Sequence, residues 1–171
     1  WHAYFPQART GAAHNSAWAG GPVVWDGLVV AASSTGSIYG FDPVTGAMAL
    51  EIPPEPSDLS LTQDFRALAV ADGILIAGSS SGDVSAYDSR THRRRWRYRA
   101  PELGSVAFAL TADDRFVYVP FVGGRLVAID ARTGLVHWRT DRQQGLFAWP
   151  PAVMNGHVYA AGTGSITAFA P

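Results

Sequence analysis

Neither cysteine nor lysine occurs among the 171 residues. The missing thiols exclude a disulfide framework, thiolate catalysis and Cys-ligated zinc, but they leave the compartment open, because exported proteins can also do without cysteine. All 13 basic residues are arginine, which reads as GC-rich codon bias rather than chemistry. Charge is sparse as well. Charged residues make up 16% and the net charge is −1, so no global field draws the chain to nucleic acid or to an anionic membrane. No apolar run approaches the roughly 18 residues of a membrane helix, and no charged-then-apolar leader precedes the first repeat, so a soluble chain is expected. Trp1 rather than Met stands first, as expected of a processed product or of a segment from a longer protein.

Hydrophobic residues reach 47%, with 18 Gly and 11 Pro, a composition that suits short strands joined by tight turns better than amphipathic helices. The organising signal is internal repetition. AIDARTGLVHW (128–138) has the form A-x-D-x-x-T-G-x-x-x-W; AYDSRTHRRRW (86–96) keeps Asp88, Thr91 and Trp96 but has His92 for Gly; GFDPVTGAMAL (40–50) keeps Asp42, Thr45 and Gly46 but ends in Leu50. A remnant, AFA (168–170), stops where the Asp would stand. In the full form the motif is Asp130, Thr133, Gly134 and Trp138. The Asp carboxylate and Thr hydroxyl can hold backbone N–H groups of a turn whose Gly takes the left-handed position.

Ahead of each motif lie three alternating stretches. The turns Asp26-Gly27, Asp72-Gly73, Asp114-Arg115 and Asn155-Gly156 join the first to the second, and Gly36, Gly82, Gly124 and Gly164 serve the next hairpin. Each motif then opens a fourth strand, at Trp96 or Trp138. Four antiparallel strands in about 40 residues is the signature of a propeller blade. The expectation is an all-β, four-repeat propeller within one domain: an outer closing strand at 1–6, then blades at about 20–53, 65–100, 106–141 and 149–171.

These motifs resemble the pyrroloquinoline-quinone-like repeat family over essentially the whole chain. The resemblance implies that the Trp opening each outer strand docks onto the next blade's motif, a role for Trp96 and Trp138, and a Leu50→Trp replacement is expected to be tolerated. WD-repeat propellers share the period but place Trp immediately before the Asp, where this chain has Phe41, Tyr87 and Ile129. The string WHAYFP (1–6) parallels WRYRAP (96–101), so Trp1 reads as the start of an outer strand that completes the fourth blade. Three arrangements satisfy this: a self-closed four-bladed ring, two chains exchanging outer strands in a larger ring, or excision from a longer array.

Quinone chemistry in this family implies calcium-ligating carboxylates, a catalytic Asp, an adjacent Cys pair and an axial Trp. The absent cysteines and the turn role of the motif Asp residues argue against a dehydrogenase fragment, and no cofactor, metal or catalytic residue is assigned. Asp113-Asp114 reads as a solvated turn, and the five His lack partners at metal-ligand spacing. Two surfaces remain. THRRRWRYR (91–99) interleaves Arg93, Arg95, Arg97 and Arg99 with Trp96 and Tyr98; it is either an anion-gripping patch or an edge strand protected by charge, answered by the acidic loop 51–64. Gly20, Arg66, Phe108 and Trp149 share one position ahead of each innermost strand, so they either line an axial site for an anionic or aromatic group or pack between blades. The resemblance implies a non-catalytic propeller that binds a protein or peptide, as in outer-membrane assembly lipoproteins or extracytoplasmic sensor domains. Small anionic-ligand binding is the alternative, and a second copy is a further candidate partner. A periplasmic or extracellular location follows from the same resemblance.

Overall fold

Asp26, Asp72 and Asn155 each take a positive φ, between 48° and 51°, and each precedes a glycine that does the same. Two successive left-handed residues form the hairpin turn whose twist matches that of its flanking strands. The third blade turns differently, because Arg115 is no glycine. Asp113 Oδ1 instead accepts the N–H groups of Arg115 and Phe116 at 2.8 and 2.7 Å.

The computed structural model describes residues 1–2, 18–54, 64–107, 109–141, 149–162 and 164–170. The first blade consists of β1 (Trp18–Trp25), β2 (Leu28–Ser33), β3 (Ile38–Phe41) and β4 (Met48–Ile52). The second consists of β5 (Phe65–Ala71), β6 (Ile74–Ser79), β7 (Asp83–Tyr87) and β8 (Arg94–Arg99). After a 3₁₀ turn at Pro101–Leu103 come β9 (Thr111–Ala112), β10 (Phe116–Phe121), β11 (Arg125–Asp130) and β12 (Val136–Arg139). The fourth blade has β13 (Ala152–Met154), β14 (His157–Gly162) and β15 (Ser165–Phe169). Every sheet is an antiparallel meander in chain order, four strands wide in the first three blades and three among the described residues of the last. This is the all-β, bladed architecture that the repeat period implies. No described helix is long and apolar enough to cross a membrane.

Strand alternation sends the two faces of each blade to different neighbours. Trp25, Val30, Ile38 and Leu50 of the first blade pack with Phe65, Leu75 and Tyr87 of the second. Ile76, Val84 and Ala86 of the second meet Val117, Val127 and Ile129 of the third. Tyr118, Leu126 and Ala128 of the third meet Val158, Ala160 and Phe169 of the fourth. The forward face of the fourth blade is open. Ile166 is 77% exposed, although its repeat equivalents Ile38, Val84 and Leu126 are sealed at 0%. On the first blade Trp18 is 37% exposed where its equivalent, Phe65, is 2%.

The expected pairing of residues 1–6 with the fourth blade falls on residues 3–6, outside the described ones. Trp1 and His2 belong to no strand.

Candidate functional site

The three motif turns share one geometry. Asp42 Oδ1 accepts the N–H of Val44 and Thr45 at 2.9 and 2.7 Å and the Thr45 hydroxyl at 2.9 Å. Asp88 receives the same three donors from Arg90 and Thr91, and Asp130 from Arg132 and Thr133. The Thr45 N–H foremost, then its hydroxyl, holds Asp42 below the usual carboxylate range. For Asp88 the Thr91 N–H is the largest influence in the same direction. Burial pushes Asp130 upward, but the hydroxyl and N–H of Thr133 and the N–H of Arg132 together outweigh it and lower it. A carboxylate so occupied is held as a turn bracket.

Above these turns sit the docking tryptophans. The Trp96 indole N–H donates to Ala131 O at 2.8 Å, and a Cβ added to Gly134 would stand 2.7 Å from the indole ring. Trp1 repeats the arrangement on the first blade: its N–H donates to Pro43 O at 2.9 Å, and a Cβ on Gly46 would meet its ring at 2.7 Å. Trp1 is therefore placed as an outer-strand tryptophan would be, on the motif of the blade that follows it. Trp138 stacks on Phe169 with ring centroids 6.1 Å apart and planes 28° from parallel.

The seam between the first and second blades departs from this pattern. Leu50 stands in the tryptophan position and His92, with φ 53°, in the glycine position. The large aromatic there is Trp25, 1% exposed, whose indole N–H donates to Gly73 O at 2.8 Å and whose ring meets His92 edge-on at 5.6 Å. Asp26 Oδ2 lies 3.9 Å from His92 Nε2. The sequence signal for Trp25 is slight: it stands where the other repeats have Ala71, Asp113 and Met154.

The arginine-rich strand is mostly answered from within its own blade. Arg97 Nη2 bonds Asp83 Oδ2, and Arg99 Nε lies 3.4 Å from Asp83 Oδ1. Asp83 is 4% exposed, a buried acid that needs such partners. Arg95 Nη1 reaches Asp88 Oδ2 at 3.5 Å. Asp83 and Asp88 thus answer Arg95, Arg97 and Arg99, while residues 55–63 of the acidic loop expected to do so lie outside the described ones. Register places Trp96 opposite Ala86 and Tyr98 opposite Val84, with both rings packed on the core, as alternation requires. Arg93 is exposed and belongs to a cleft of about 340 Å³ lined with Ile52, Pro53, Tyr87, His92 and Arg94.

Of the axial set, Gly20 and Arg66 come together: a Cβ on Gly20 would stand 2.6 Å from Arg66 O. Arg66 Nε lies 3.8 Å from Asp64. Trp149 is 65% exposed, and Phe108 lies outside the described residues. Asp113, read as a solvated turn, also accepts the Tyr118 hydroxyl at 2.7 Å; burial, then that bond, raises the Tyr118 pKa. No group of three or more metal-ligating side chains occurs among the described residues. Across the second seam, Arg132 Nε meets Asp72 Oδ2 at 2.5 Å.

Comparison with known proteins agrees with the repeat assignment. The family described as outer membrane protein assembly factor BamB matches residues 4–109 and 80–171. A BamB of Alkalilimnicola ehrlichii is 41% identical over 69 residues, which are 40% of this chain and 17% of that protein. The crystal structure of BamB from Moraxella catarrhalis superposes with a TM-score of 0.71 at 24% identity, covering 89% of this chain and 46% of that one. The computationally designed Ika4 protein gives 0.73 at 18% identity and covers 92% of each chain, a likeness of fold alone. The chain thus spans about half the length of the Moraxella BamB and a smaller part of the Alkalilimnicola protein.

Proposed function

Because this chain belongs to the family of the outer membrane protein assembly factor BamB, we propose that it is a non-catalytic propeller that binds other proteins as a scaffold in the bacterial periplasm. The observation that carries this reading is the state of the motif carboxylates: Asp42, Asp88 and Asp130 each hold three local donors on one oxygen, which leaves them to brace turns rather than to ligate a metal or move protons. The relatives' own name, an assembly factor for outer membrane proteins, supports a protein as the partner class and the periplasm as the place. Photo-crosslinkers at exposed positions such as Val44, Arg93 and Leu135 test it in a Gram-negative cell. Discrete protein adducts are expected. Dye reduction by the purified chain, dependent on quinone and calcium, would point to an enzyme instead.

Assembly into a larger ring is a second reading, favoured by the open face at Ile166, whose repeat equivalents are all sealed. Light scattering tests it against the 18.2 kDa of one chain. A mass near twice that value supports two copies meeting through this face, and a mass of one chain opposes it.

A further inference from the structure

Each seam joins the forward face of one sheet to the back face of the next, and the same columns of the repeat recur. Between the first and second blades, Trp25 and Ile38 share a buried cluster with Phe65 and Val70. One seam on, Ala71 and Val84 hold the columns of Trp25 and Ile38 in the cluster shared with the third blade. At the ends of the array the same columns are bare. Met154 and Ile166 stand for Trp25 and Ile38 on the forward face of the fourth blade, whereas Trp18 and Val24 stand for Phe65 and Val70 on the back face of the first. All four side chains are apolar, yet Met154 is 61% and Val24 71% exposed. The place ahead of the first blade carries a second mark. Trp1 lies on the Gly46 turn of that blade as Trp96, from the outer strand of the second blade, lies on the Gly134 turn of the third. It stands where a preceding blade's outer strand would bring it.

We propose that this place is filled by the fourth blade of a second copy. Two chains associate head to tail, each seating Met154 and Ile166 against Trp18 and Val24 of the other, and two identical seams close one ring from two four-bladed halves. Burial of these exposed apolar side chains drives the contact. The contact joins unlike faces, so it closes when each copy turns half a circle about the axis. The Moraxella BamB chain, of which this one covers 46%, is about twice as long, and two copies supply that length in two pieces. The proposal rests on the larger-ring reading and adds to it the mating surface, which is the back of the first blade rather than a second Ile166 face.

The absence of cysteine lets single thiols address the seam. Val24→Cys and Met154→Cys, both at exposed positions, are co-expressed under different tags and treated with a short bismaleimide. A linked two-chain product carrying both tags is expected, and none from either variant alone. Ile166→Asp should return the mass in solution from two chains to the 18.2 kDa of one. A single-chain mass for the unaltered protein would overturn this proposal and the larger-ring reading together, as would a two-chain mass that Ile166→Asp leaves unchanged. A two-chain mass that Ile166→Asp abolishes, with a linked product from Met154→Cys alone or with none from the mixture, would overturn the head-to-tail seam and leave the larger-ring reading standing. A mass above two chains would replace the closed ring with an open array and overturn the proposal as well.

Discussion

The indole of Trp96 lies against the backbone of Gly134, with 2.7 Å left for a Cβ that is not there, and its N–H closes on Ala131 O at 2.8 Å. One outer strand thereby locks the turn of the next blade, and the position tolerates only glycine for two reasons, its φ of 75° and the ring above it. Gly134→Ala should cost about 1–2 kcal/mol for the left-handed backbone and about 1–3 kcal/mol more for overpacking. Denaturant unfolding checks this; an unchanged midpoint would dissociate the Trp from the turn.

The same geometry revises an expectation from the repeat pattern. Leu50→Trp looks tolerable when only the tryptophan column is compared, but His92 occupies the seat the new ring needs. The single variant should lose about 1–3 kcal/mol, and His92→Gly should recover at least about 1 kcal/mol of that loss as coupling between the sites. A double-mutant cycle by chemical denaturation measures it, and additivity would show that the two positions do not meet.

The repeat, the hairpin turns and the turn role of the motif Asp residues were legible because each rests on a local rule: two left-handed residues at Asp-Gly, a carboxylate gathering the N–H groups two and three residues on. The equivalence of Trp1 with Trp96 was legible for the same reason. What was not legible lies between repeats. Trp25 seals the first seam from a column otherwise held by Ala71, Asp113 and Met154, and nothing local marks it as a substitute for the missing docking ring. Asp83 and Arg97 pair across a hairpin whose register had to be known first. Gly20 meets Arg66 by the side-by-side approach of two innermost strands, while Phe108, outside the described residues, leaves the axial set incomplete.

Ion pairs in this chain should differ sharply in worth. Asp83→Ala removes a buried acid and strands Arg97, 19% exposed, at a cost of about 3 kcal/mol. Asp72→Ala breaks the exposed contact with Arg132 and should cost far less than Asp83→Ala, and less again in high salt. Thermal unfolding of both variants at low and high ionic strength distinguishes them.

Acid should weaken the fold through the motif turns. The folded pKa of Asp42 and Asp88 is depressed, so their contribution is fully present above the ordinary carboxylate value of about 3.9 and is lost as pH falls through the lower folded value. Melting temperature should therefore be flat above about pH 5 and fall below about pH 4. Asp42→Asn should lower stability at pH 7 and flatten part of that fall; an identical acid profile in the variant would remove Asp42 from the account.

Crosslinking in living cells tests the scaffold reading most directly. With a photoreactive residue at Val44, Arg93 or Leu135, each on the exposed surface, illumination should yield discrete adducts whose partner mass-spectrometry identifies as outer membrane assembly proteins or their clients. The absence of any protein adduct at all three positions, with the chain present and folded in the cell envelope, would contradict it.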